Sequence, residues 1–103
     1  MIVTVYATFA DADEAKRIAR ILVEERLAAC ANILGPCDSI YRWEGKIEEQ
    51  GEVAALFKTK RELADKLVER LGELHSYLVP AAVAWPIEGV SAPFKDWVTK
   101  ETK

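Results

Sequence analysis

An α+β fold of order β-α-β-β-α-β with a short C-terminal helix is predicted by three features of the sequence. Apolar residues alternate at period two from Val3 to Phe9, and two further strand-like runs flank a Glu44-Gly45 reversal. Two segments between the strand-like runs carry apolar residues at helical spacing instead, Ala15, Ile18, Ala19 and Leu22 in one and Leu63, Leu67, Leu71 and Leu74 in the other. A last apolar run, Val79 to Ile87, is bounded by Pro80 and Pro86.

In the first strand Val3, Val5, Ala7 and Phe9 alternate with Thr4, Tyr6 and Thr8, so one face is apolar. Asp11 then stands three residues before Glu14, a carboxylate capping arrangement, and predicts a helix over Asp13 to Arg26. A second strand begins near Ala28. Gly35-Pro36 is expected to interrupt it, because proline supplies no ladder donor, and it resumes from Asp38 to Trp43. Glu44-Gly45 reverses the chain, which returns through Lys46 to Lys58. That register sets Gly35-Pro36 nearly opposite Gly51, where a bend is expected. Thr59 and Glu62 have capping-box spacing ahead of the second helix, which should end near Leu74 or His75. The fourth strand suits a sheet edge, and Ser91 is placed to cap a short helix carrying Phe94, Trp97 and Val98 on one side. This order is that of the split βαβ, or ferredoxin-like, sandwich.

With 103 residues and half of them hydrophobic, the chain fits a single domain over 1–103 that buries roughly 65% of its unfolded surface. Fourteen Lys and Arg against seventeen Asp and Glu give a net charge of −3 with the signs interspersed. Nucleic acid, whose binding rests on phosphate neutralisation, is not an expected partner. Cys30 and Cys37 make neither a disulfide framework nor a four-thiolate metal site. No charged leader or long apolar run marks export or a membrane, so a reducing, cytoplasmic setting is expected.

The hairpin is too long for its domain. A compact chain of this size has a radius of gyration of ~13 Å, while a strand of about fourteen residues reaches ~45 Å. The projecting part carries Ile40, Tyr41, Trp43 and Ile47, and an isolated two-stranded ribbon is marginal in water. Burial of these four residues against neighbouring copies is the expected resolution, with folding back on the parent domain as the alternative. The pattern alone does not choose between dimer and trimer.

The segments "ERLAACANI", "SIYRWEGKIEE", "LFKTK" and "ELHSY", followed by "VP", "PI" and Trp97, run the length of the chain and resemble the CutA divalent-cation-tolerance family. The resemblance implies a tight homotrimer whose hairpins pair between chains, a role in divalent metal and especially copper tolerance, and a likeness to PII signalling proteins. It also implies a ligand site in the clefts between subunits, at Tyr41, Trp43, Lys58, His75 and Tyr77.

The chain departs from that pattern where copper ligands are assigned in bacterial members. Ala7 replaces the first-strand cysteine, Leu74 stands beside His75 in place of a histidine pair, and His75-Ser76-Tyr77 replaces His-Pro-Tyr. Ala81 stands where an acidic residue often follows Pro80, and Val90-Ser91-Ala92 replaces a Gly-Asn turn. Leu78, Ala81, Ala82, Val90 and Ala92, with Trp85, make the last third apolar; natural drift is one reading of them, and an engineered second interface for another protein component is the other.

His75, the only histidine, is read first as a hydrogen-bonding group at a helix end and second as a candidate ligand for a divalent metal such as copper. Cys30 and Cys37 read as structural. Tyr41 and Trp43 share a hairpin face with Lys46 and Glu48, where packing at an interface is the first reading and a small anionic ligand near Lys58 or Lys46 the second. No nucleophile and base are paired for catalysis, and no cofactor is firmly implied. The acylphosphatase anion loop, the four cysteines of a ferredoxin cluster and the aromatic RNA-recognition motif are all missing. A non-enzymatic homotrimer serving divalent-cation tolerance is therefore expected. A trimeric building block of a larger assembly and a PII-like ligand sensor are the alternatives.

Overall fold

Ile2–Phe9 forms β1, Ala12–Glu24 α1, Cys30–Trp43 β2, Lys46–Lys60 β3, Ala64–Leu74 α2, Ala82–Pro86 β4 and Ala92–Glu101 α3 in a computed structural model of residues 1–103. The strands make one antiparallel sheet in the order β2-β3-β1-β4. The expected ferredoxin-like arrangement is therefore present, with β4 at an edge, where Pro86 is tolerated; the strand starts at Ala82 rather than Val79, so Pro80 lies before it.

Alternation decides which side of the sheet is dry. Val5, Ala7 and Phe9 of β1 and Val53, Ala55 and Phe57 of β3 point to the helices, where they meet Ala15, Ile18, Ala19 and Leu22 of α1 and Leu67 and Leu71 of α2. A smaller cluster of Ile2, Ala29 and Val98 seats α3 at the end of the sheet, with Phe94 and Val90 against it. On the opposite face no helix covers Tyr6, Val83 or Trp85; Tyr6 and Trp85 stack with centroids 6.0 Å apart.

Asp11 caps α1 by accepting the amide of Glu14 at 2.8 Å. The helix stops at Glu24, two residues short of the expected Arg26, because Arg26 adopts a left-handed φ of 64° and the amides of Leu27 and Ala28 fold back onto the Leu22 carbonyl. The Arg26 guanidinium then donates to the carbonyls of Glu101 and Lys100 at 3.0 and 2.9 Å, a cation at the C-terminus of α3.

Four expectations need correction. Gly35-Pro36 does not interrupt β2: the strand is continuous, Pro36 pairs with Val53, and the irregularity is a bulge at Leu34, between the Ile33–Ala55 and Gly35–Ala54 pairs. Proline is tolerated because β2 is a sheet edge, and Gly35 takes the left-handed φ of 91°. The Glu44-Gly45 reversal does set the register, which puts Gly51 opposite Asp38 rather than at Gly35-Pro36. The Thr59–Glu62 capping box does not form. Thr59 belongs to β3, opposite Val3, and its hydroxyl is buried without a partner, while a 3-10 turn over Arg61–Leu63 leads into α2. Likewise, Ser91 occupies the cap position of α3 but its side chain makes no capping bond.

The hairpin projects as expected. The radius of gyration is 14.0 Å, but the longest axis is 45 Å against 25 and 22 Å for the others.

Candidate functional site

A cleft of about 590 Å³ opens on the uncovered sheet face, between the base of the ribbon and the segment joining α2 to β4. Strand alternation builds its floor. Thr8 of β1, Glu52 and Gln50 of β3, and Ser39, Tyr41 and Trp43 of β2 all fall on this face, because Cys37 pairs with Glu52, Ser39 with Gln50 and Tyr41 with Glu48. Tyr77, Leu78 and Ala81 close it from the segment after α2.

A directional chain of hydrogen bonds crosses the floor. The Tyr41 hydroxyl donates to Gln50 Oε1 at 2.7 Å, Gln50 Nε2 donates to the Tyr77 hydroxyl at 3.2 Å, and that hydroxyl donates to Glu52 Oε2 at 2.7 Å. Burial, and then the Glu52 carboxylate that accepts its proton, push the Tyr77 phenol well above its ordinary pKa, so it stays a donor.

His75 lies beneath this floor with its ring fully buried. Its Nε2 donates to the Thr8 carbonyl at 2.8 Å and its Nδ1 accepts the Tyr77 amide at 3.1 Å. A carbonyl only accepts and an amide only donates, so the ring is the neutral Nε2–H tautomer. Phe9 stacks on it at 5.0 Å and Tyr77 tilts against it at 4.6 Å. Of the two readings held for His75, this geometry is the hydrogen-bonded one, with a β1 carbonyl rather than the last carbonyls of α2 as acceptor. Neither ring nitrogen keeps a lone pair free for a metal.

Glu14 fixes the cleft's far wall. Its Oε1 accepts the Ala10 amide at 3.1 Å and its Oε2 accepts the Ser76 amide at 2.8 Å, tying the start of α1 to the segment after α2. Burial alone would raise its pKa. The bonds from Ser76 and Ala10 outweigh burial and hold it below the ordinary carboxylate value. A carboxyl depressed in this way adds stability above its unfolded pKa, and that stability is lost as pH falls through the folded one. Glu14→Gln can accept one of the two amides but not both, so a loss of about 1–3 kcal/mol at neutral pH is expected. Denaturant titrations from pH 7 down to pH 3 check this: the gap to the parent protein should narrow on the acid side.

The five residues expected to share a ligand cleft are only partly brought together. Tyr41, Trp43 and Tyr77 line it, His75 supports it from below, and Lys58 does not reach it. Lys58 sits opposite Thr4 and Cys30, six residues along β3 from Glu52 and hence ~20 Å away. Burial raises the Cys30 thiol pKa, with Lys58 partly offsetting this, in keeping with a structural cysteine. Gln50, Glu52 and Glu14, none of which was marked as a site residue, complete the arrangement.

The residues read as trimer interface, Ile40, Tyr41, Trp43 and Ile47, divide between the two faces of the ribbon. Tyr41 and Trp43 face the cleft, and Ile40 and Ile47 the other side, at 68% and 61% exposure. The residues read as a second interface do not form one face. Leu78 and Ala81 line the cleft, Ala82 packs on the main core opposite Ala7, Val90 packs beside Ile2 and Val98, and Ala92 opens α3.

Donors for a metal do not converge within one chain: no three of His, Cys, Asp and Glu gather at one point. No helix is long and apolar enough to cross a membrane.

The model of the CutA1 divalent ion tolerance protein family matches residues 3–101. The divalent-cation tolerance protein CutA of Pyrococcus horikoshii is 44% identical over 101 residues, covering 98% of each chain. That of Thermus thermophilus is 44% identical over 98 residues, covering 95% of each. The solved structure of the Thermus thermophilus divalent cation tolerance protein superposes with a TM-score of 0.95 at 43% identity over 100% of both chains. The structure of the periplasmic divalent cation tolerance protein CutA from Archaeoglobus fulgidus gives 0.95 at 39% identity, again over the whole of both chains. Sequence, sheet order and the projecting hairpin thus converge, and the chain belongs to the CutA1 divalent ion tolerance family.

Proposed function

We propose that the protein serves divalent-cation tolerance as a closed homotrimer, without catalysing a reaction, and that any copper or other divalent ion it takes is held between copies. The observation that carries this reading is the ribbon. Beyond the helix-covered core it bears apolar side chains on both faces, Tyr41 and Trp43 on one and Ile40 and Ile47 on the other, and Val83 and Trp85 extend the apolar surface across the open sheet. A single chain leaves both faces wet, whereas closed rotational symmetry covers them and removes the edges β2 and β4. Threefold order follows the resemblance of the hairpin signature to CutA trimers.

Holding an ion between copies fits the donor set. His75 is committed to Thr8 and Tyr77, and no three donors meet in one chain, so a multidentate site requires side chains from more than one copy.

Light scattering on the eluting protein should give three times the mass of one chain at micromolar concentration. A single-chain mass overturns the assembly. Calorimetric titration of the assembled protein with Cu²⁺ should saturate at a fixed ratio per assembly; no heat at millimolar Cu²⁺ removes direct ion binding and leaves the assembly standing.

A further inference from the structure

We propose that α3 is a strap that opens independently of the rest of the chain, and that Arg26, at the turn from α1 into β2, is the latch that holds it shut. The contacts involved all lie within one chain, whatever neighbouring copies cover, and none of them bears on cation tolerance.

α3 is poorly equipped to stand alone. It has ten residues, fewer than an isolated helix needs to persist in water, and its first turn has no side-chain cap. Its apolar anchor is small. The buried Val98 meets Ile2 and Ala29 in a cluster of three buried residues, separate from the thirteen of the main core, and Phe94, Val90 and Ile87 pack against it only partly buried. A segment with so few buried contacts belongs to the low end of local stability, so α3 can melt while the sheet, α1 and α2 stay folded.

The far end of α3 is held by polar contacts with one residue. Arg26 Nε and Nη2 donate at 3.0 and 2.9 Å to the Glu101 and Lys100 carbonyls, which the helix leaves unpaired at its C-terminus. In return the amide of Lys103, just past the helix, donates to the Arg26 carbonyl at 3.0 Å. The Thr102 hydroxyl, buried beside this contact, closes the last turn onto the Val98 carbonyl at 2.8 Å.

Arg26 makes these bonds from a left-handed φ of 64°, a conformation that only glycine takes without cost. Such a residue persists where its surroundings over-determine it, and here they include the last turn of α3. The side chain before it is used elsewhere: Glu25 accepts Arg70 of α2 in two bonds of 2.9 and 2.8 Å. Consecutive residues thus tie the end of α1 to two different helices, α2 through Glu25 and α3 through Arg26.

Amide hydrogen exchange of the whole protein, followed residue by residue, tests both halves of the proposal. In the parent, the amides of Lys95 to Glu101 should be protected yet exchange faster than those of β1 and β3, which open only with the whole chain. Arg26→Gly takes the left-handed φ freely but loses both guanidinium bonds, so exchange across α3 should speed up ~10-fold or more while β1, β3 and α2 keep their rates. Glu25→Gln, which weakens the tie to α2 alone, should leave α3 unchanged. The proposal is overturned if α3 exchanges no faster than β1 and β3 in the parent, which would make it part of the global unit, or if α3 is unprotected there, which leaves nothing to latch. It is overturned equally if Arg26→Gly leaves α3 exchange as it was, or speeds β1 and β3 by the same factor, which is a loss of overall stability.

Discussion

Trp43→Asp is expected to convert the assembly to single chains. Trp43 stands at the end of β2, opposite Lys46 and 42% exposed in one chain, on a ribbon with no helix behind it. Large aromatics of this kind carry much of the energy of an interface, at least about 2 kcal/mol each, or a factor of about 30 in dissociation constant. Aspartate removes that packing and places a charge where burial would leave it unpaired. In a closed ring the same substitution recurs at every interface, so its effect is repeated around the symmetry axis. The buried core lies on the helix side of the sheet and contains no residue of the ribbon beyond Val53, so the variant should keep its circular dichroism. Light scattering at micromolar concentration should read one chain's mass. A variant that holds the parent's mass on dilution to nanomolar concentration would show that the ribbon is not what joins the copies.

Much of the chain was legible because its strongest signals are local and periodic. The alternation from Val3 to Phe9 marks a strand and the leucines of α2 recur at helical spacing; both lie where that pattern puts them, although β1, central in the sheet, is buried on both faces. The hairpin register followed from Glu44-Gly45. The failures come from competition that one sequence does not reveal. Pro36 reads as a break until β2 is known to be an edge, where proline is tolerated. Thr59 reads as a cap until β3 is known to run to Lys60, at which point pairing with Val3 takes the residue away from the helix.

The site was less legible than the fold. Tyr41, Trp43 and Tyr77 stood out as aromatics, but Glu52 became significant only once the register put it on the open face and the segment after α2 carried Tyr77 over it. Glu14 was read from its spacing to Asp11 as half of a local cap. It does take the Ala10 amide nearby, but its second oxygen reaches 62 residues along the chain to Ser76, a contact no local pattern encodes. Lys58 failed for the converse reason: its place in the signature says nothing of its ~20 Å separation from Glu52 along β3.

Phe57→Ala should be the most destabilising single substitution of the fold itself. Phe57 is fully buried, pairs with Val5 and Ala31 on either side, and meets Phe9 edge to face at 6.4 Å. Truncating a buried phenylalanine costs about 3–5 kcal/mol, the lost transfer energy plus the cavity, and the Phe9 contact adds to it. That is a large share of the roughly 5–15 kcal/mol typical of a domain. If the protein is an oligomer its unfolding is linked to chain concentration, so the core and the interface separate in one experiment. Denaturant midpoints are measured at two protein concentrations for the parent, Phe57→Ala and Trp43→Asp. The parent midpoint should rise with concentration. Phe57→Ala should lower it at both concentrations and keep the dependence, because its cavity lies inside one chain, whereas Trp43→Asp should abolish the dependence, because what it removes is contact between chains. A Phe57→Ala midpoint within error of the parent would mean that the core closes around the missing ring, and that the helix-covered face is less tightly determined than its burial implies.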